Sequence, residues 1–222
     1  MSKKLEAFSH IQIWYHKHII HFMIFFILTG LPILSESFHW LAYFYGIPFT
    51  MLSDGGNTLA IGIQVARIVH RGVALMFILV SIPFLIVMLK DIKNWQIWPE
   101  GGLVDGVKQL KVAYFDFKAP NVGKYNFGQK ALAWFLIISM IVMTYTGFVL
   151  MFRDSFSADF ASVMRGFHAV VFILIAVAMI VHLYFAVFPP NRHGFKAMFG
   201  DGTMDEDYIA YKHPKWYKKL VK

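Results

Sequence analysis

The chain has 222 residues, 58% of them hydrophobic and 15% charged, with a net charge of +8 and no cysteine. Soluble domains are about a quarter charged, so this is a membrane protein, and its excess Lys and Arg reads as cytoplasmic loops rather than a nucleic-acid surface. Without cysteine there can be no disulfides, no protein-held iron–sulfur cluster and no C-x-x-C-H haem attachment, which leaves ten histidines as the soft-metal ligands in quantity.

Four stretches are long enough to cross roughly 30 Å of hydrocarbon at about 1.5 Å per residue: residues 11–34, 59–89, 127–152 and 163–188. Residues 1–190 read as a membrane domain and 191–222 as a cytoplasmic C-terminal tail. Span one opens with "HKHIIHFMIFFILTGL", which brings His16, His18 and His21 to its start and Gly30 near its end. The connection that follows, residues 35–57, is aromatic and has no Lys or Arg. It reads equally as a docking surface for a partner and as an interfacial loop lying on lipid. Span two carries His70 in its early part. A long basic connection then leads into "KYNFGQKALAWF", where Asn126 and Gln129 have the spacing of a helix N-cap and its N3 partner. Span four, "GFHAVVFILIAVAMIVHLYFAV", carries His168 and His182.

The basic residues orient these spans. Seventeen of the 21 Lys and Arg fall in the N-terminal segment, the middle connection and the C-terminal tail; the other four are Arg67, Arg71, Arg153 and Arg165. That asymmetry places both termini in the cytoplasm. The four outer arginines suit either haem propionates or headgroup anchoring.

Fourteen residues of helix turn through about 1400° and rise roughly 21 Å, so His168 and His182 share one face near opposite sides of the bilayer. Spans two and four both run inward, which pairs His70 with His168 at the outer depth and one of the span-one histidines with His182 at the inner depth. Two imidazoles on different helices, repeated at a second depth, suit two bis-histidine haems. A lone histidine such as His21 is more simply a buried ring bonded to a neighbouring carbonyl, but that account must be repeated by coincidence to explain two matched pairs. Zinc sites want clustered ligands. The absence of Asp and Glu from the cores of spans one, three and four disfavours a histidine-using transporter. The expected fold is therefore an all-α, integral membrane four-helix bundle binding two haems, both termini cytoplasmic.

"ARIVHRGVALMF", "KYNFGQKALAWF", "HAVVFILIAVAMIVHLYFA" and "YKHPKWY" occur in this order along the chain. Together they resemble the cytochrome b (gamma) subunit of respiratory membrane-bound formate dehydrogenases, with related dihaem subunits in nickel–iron hydrogenases and thiosulfate reductases. The resemblance implies two haem b groups, ligated by His70 with His168 and by His16 with His182. His16 is chosen over His18 and His21 because it lies fourteen residues before Gly30. The family's usual Arg before this histidine and Trp after it are here Ile13 and Lys17. The resemblance further implies a quinone, menaquinone or ubiquinone, held by Asn126, Gly128 and Gln129. It implies an iron–sulfur subunit and a catalytic oxidoreductase subunit on the extracytoplasmic side, and a place in the bacterial inner membrane. The expected function is electron transfer from such a partner to the quinone pool. A cytochrome b subunit of a hydrogenase or sulfur-compound reductase, with reversed flow, is the alternative.

Overall fold

The computed structural model describes residues 3–52 and 56–221. Among them run nine α-helices: α1 (His10–Leu34), α2 (His39–Thr50), α3 (Thr58–Lys90), α4 (Leu103–Tyr114), α5 (Phe127–Met151), α6 (Ala158–Val187), α7 (Arg192–Phe199), α8 (Glu206–Lys212) and α9 (Pro214–Leu220). Two short strands, β1 (Lys4–Glu6) and β2 (Thr203–Asp205), complete the order. Helices α1, α3, α5 and α6 have the length and apolarity of membrane spans, and their most apolar windows are only 6–22% buried within the chain. Most of that surface is left to face lipid, as spanning helices require. Helix α6 starts five residues before the expected 163, because the Ser157 side chain accepts from the Phe160 N–H and caps it there.

The residues form two compact units, Ile11–Lys90 and Met1–His10 with Asp91–Lys222. In the first, α1 packs on α3 through aromatic contacts. Phe22 and Phe26 meet Phe77 edge-on at 5.6 and 5.8 Å, and Tyr15 stacks on Phe84 at 4.1 Å. The Tyr15 hydroxyl also bonds the Ser81 hydroxyl at 2.9 Å. The aromatic connection contains α2, laid directly against the start of α3. A Cβ at Gly46 would stand 2.1 Å from the Thr58 carbonyl oxygen, and one at Gly62 1.7 Å from that of Ala42. Only glycine lets these two backbones touch. The far side of α2 is aromatic and open, with Trp40 64% and Phe44 72% exposed. Residues 53–55 of this connection lie outside the described residues.

In the second unit, the segment expected to be a tail is folded. Strand β1 pairs antiparallel with β2, Lys4 opposite Asp205 and Glu6 opposite Thr203. Gly202, at φ +82° where a side chain would be strained, turns its carbonyl to accept from the Ala7 and Phe8 N–H groups at 2.7 and 2.9 Å. Helix α9 is tied to the middle connection by the Lys215 N–H, which donates to the Val122 carbonyl at 3.3 Å. The N-terminal strand, the 91–126 connection and residues 192–221 thus gather around the start of α5. Helix α4 supports that start from below: a Cβ at Gly106 would meet the Phe127 ring at 2.4 Å. Lys130, 6% exposed, is satisfied by Glu100 at 3.3 Å and by the Trp98 carbonyl at 3.0 Å.

Candidate functional site

Each unit contains two of the predicted histidines, all four half-buried. In the first unit, the α3 histidine, His70, meets α1 at a Thr–Gly step. Its Nδ1 lies 2.9 Å from the Thr29 hydroxyl, and its Cε1 stands 3.5 Å from where a Cβ on Gly30 would be. Phe26 closes the ring edge-on at 5.2 Å. Gly30 makes room for this imidazole. At the other end of the same helix pair, Tyr15 against Phe84 fixes the register. Phe84 is fourteen residues beyond His70, so His16, next to Tyr15, lies about 21 Å along the helices from His70.

The second unit repeats the pattern. The α6 histidine, His168, meets a Thr–Gly step of α5, with Nδ1 2.8 Å from the Thr146 hydroxyl and Cε1 3.4 Å from a Cβ on Gly147. His182 follows fourteen residues later, again about 21 Å along the axis. His18 and His21 are held differently. Their Nδ1 atoms bond carbonyls of their own helix, Trp14 at 2.8 Å and Lys17 at 2.7 Å.

Asn126, buried, and Gln129 form a complete capping box at the start of α5. The Asn126 side-chain oxygen accepts from the Gln129 N–H at 3.0 Å, and the Gln129 side-chain oxygen accepts from the Asn126 N–H at 2.9 Å. The rest of the Asn126 amide donates to the Tyr114 hydroxyl at 3.0 Å, and Asn191 donates to the same oxygen at 3.3 Å. Asn126 and Gln129 line a cleft with Tyr114, Asn191, Tyr208 and His213. Gly128 is packed instead on α4, where a Cβ would meet Leu110 at 3.0 Å. A second cleft shares Gln129, Asn191, Tyr208 and His213 and extends to Phe8, Lys124 and Trp216. Asn191 also donates to the Phe185 carbonyl at 2.9 Å, so His182 is less than one helical turn above a residue that holds the cleft wall.

Burial shifts the ionisable groups at this end. Burial holds the His213 imidazole below the usual histidine range, against the opposing hydrogen bond to the Gly123 carbonyl. Burial also pushes Tyr208 up to about 12. Lys124 is lowered to about 8 by burial, partly offset by Glu6. Its ammonium donates to the Ala7 carbonyl and lies over the rings of Phe8, Tyr125 and Trp216 at 4.7 to 5.4 Å. Sequence reasoning missed Tyr114, Asn191 and His213 as cleft residues, and Thr29 and Thr146 as histidine partners. The repeated Thr–Gly step, in "LTGL" and "YTGF", was the available signal for the last two.

Half-buried histidines on apolar spans, in a chain without cysteine, are ligands of the kind that a membrane b-type cytochrome uses. The chain is a member of the prokaryotic cytochrome b561 family, whose family model matches residues 7–201. It is therefore a multi-pass electron-transport protein of the bacterial inner membrane that binds haem b. It is 26% identical over 201 residues to the formate dehydrogenase cytochrome b556(fdo) subunit of Escherichia coli K12, covering 88% of this chain and 83% of that one. The nitrate-inducible formate dehydrogenase cytochrome b556(Fdn) subunit of the same organism is also 26% identical, covering 88% and 82%. The Haemophilus influenzae formate dehydrogenase cytochrome b556 subunit is 27% identical over 237 residues, covering 98% and 87%.

Proposed function

We propose that the chain is the cytochrome b subunit of a formate dehydrogenase-type complex and binds two haems within a four-helix membrane domain. One is ligated by His70 and His168 and the other by His16 and His182. Haem b, so placed, supplies reversible one-electron carriage at two depths of the membrane. The observation that carries this reading is that each unit presents two histidines about 21 Å apart along its helices, one of them seated against a Thr–Gly step. Glycine at those steps lets the imidazole come close enough to the helix to reach the threonine hydroxyl.

The cleft at the start of α5 is the quinone site in this reading. Asn126, Gln129, Tyr114 and His213 bring donors and acceptors suited to neutral carbonyls, and His182 stands close along α6. Gly128 acts through the packing of α4. Pairing of β1 with β2 supports both termini lying on one side, and the distribution of Lys and Arg makes that side cytoplasmic. The relatives are named as formate dehydrogenase subunits, which supports a catalytic oxidoreductase partner; in this reading that partner and an iron–sulfur subunit dock on the opposite, extracytoplasmic face. The chain then connects that partner with the quinone cleft. A reduced-minus-oxidised spectrum of the purified chain tests this. Sharp b-type bands that bleach on adding a quinone analogue are expected; bands that stay reduced would remove the quinone assignment.

A further inference from the structure

The two Thr–Gly steps determine which nitrogen each imidazole presents. The Thr29 hydroxyl donates to the Phe25 carbonyl, one helical turn back, at 2.6 Å, and the same oxygen lies 2.9 Å from His70 Nδ1. The Thr146 hydroxyl donates to the Val142 carbonyl at 2.8 Å and lies 2.8 Å from His168 Nδ1. A carbonyl can only accept, and a hydroxyl has a single proton to give. That proton is used on the carbonyl, so the threonine oxygen accepts from the ring. Both imidazoles are therefore protonated at Nδ1, which leaves the Nε2 lone pair as the one that can bind a metal. Both threonines are buried, 4% and 2% exposed, so water does not compete for these bonds. The neighbouring glycines leave room for the ring at its Cε1 edge, where a Cβ would stand 3.5 and 3.4 Å away. The arrangement is built twice from separate sequence contexts, the partners being 41 residues apart in one case and 22 in the other.

We propose that Thr29 and Thr146 are positioning residues that lock His70 and His168 in the Nδ1–H tautomer, with Nε2 aimed at haem iron. This rests on reading those two histidines as axial ligands. The chain from Nδ1–H through the hydroxyl to a backbone carbonyl is cooperative. It draws the ring proton toward the threonine, makes Nε2 a stronger donor and favours ferric iron. Because both threonines act on ligands of one haem, both should tune the same midpoint potential and neither should touch the other haem.

The test uses the full chain in detergent, with Thr29→Val, Thr146→Val, both serine variants, His70→Ala and His168→Ala. Redox titration of the two b-type bands and low-temperature electron paramagnetic resonance are the readouts. Each valine variant should raise the potential of the same haem and shift its g-values, leaving the second haem unchanged, and each serine variant should restore both. If a valine variant loses that haem, wild-type potential in the serine variant supports the proposal, and loss in both overturns it. Valine variants with full haem content and an unchanged potential also overturn it. Full haem retention in His70→Ala and His168→Ala would instead remove the ligand assignment beneath it.

Discussion

Replacing Asn126 by aspartate and by alanine separates its two roles at the start of α5. The alanine variant loses the side-chain acceptor for the Gln129 N–H, and loss of an N-cap costs about 0.5–2 kcal/mol. It also removes a donor from the Tyr114 hydroxyl, so its stability should fall toward the upper end of that range. Aspartate keeps both halves of the capping box and gains about 0.3–1 kcal/mol from a negative charge at a helix N-terminus. Burial of that charge opposes the gain, and net stability should stay within about 1 kcal/mol of wild type. What aspartate cannot keep is the amide donor to Tyr114. The tyrosine must then turn its own O–H toward the carboxylate and away from the cleft. Losing one hydrogen bond to a bound quinone costs about 1–3 kcal/mol, roughly a 5- to 150-fold fall in kcat/KM. Stopped-flow reoxidation of the dithionite-reduced chain by a short-chain quinone, with the thermal midpoint measured in parallel, gives both quantities. Wild-type reoxidation and unchanged inhibitor affinity in Asn126→Asp would refute the reasoning and leave Asn126 as a cap alone.

Lys124 predicts a pH dependence of stability. Its pKa falls from 10.5 to about 8 on folding, through burial, so between about pH 8 and 10.5 the unfolded chain binds the extra proton and stability rises with pH. Below pH 8 the burial cost is constant. Thermal midpoints across pH 7–10.5 should show this rise in wild type and lose it in Lys124→Met; an identical rise in both would contradict it. Gly62→Ala places a methyl group against the Ala42 carbonyl and should lower the thermal midpoint by separating α2 from α3, at a cost of about 1–3 kcal/mol. The same change at Gly72, where nothing lies within 4 Å, should be neutral, and equal effects at the two sites would refute the packing account. A protease-sensitive tag at the C-terminus should survive treatment of intact right-side-out cells; its cleavage without lysis would reverse the topology.

The membrane spans were legible because length and apolarity alone decide whether a helix can cross lipid. The capping box was legible because it is local: Asn126 and Gln129 are three residues apart, and the reciprocal bonds follow from backbone geometry. Features built from distant residues were not. No periodicity in residues 4–6 announces a partner strand at 203–205, so the sequence showed a cytoplasmic tail without its pairing. Helix α2 was hidden by its aromatic composition, which suits an interfacial loop equally well. Its tell was Gly46 with Gly62, a pair whose meaning depends on two backbones touching. Fourteen-residue spacing exposed the face shared by His168 and His182, whereas the hydroxyl partners of His70 and His168 needed the helix pairing before they could be seen. The aromatic cage around Lys124 and the pairing of Lys130 with Glu100 were hidden for the same reason.

If four histidines hold two haems at two depths, haem stoichiometry reads it out. Pyridine haemochrome analysis of the purified chain should give two non-covalent b-type haems per polypeptide. His168→Ala should lose one haem and His182→Ala the other, each retaining about half the wild-type content with a distinct remaining potential. One haem in the wild-type chain, or loss of the same haem from both variants, would contradict the account.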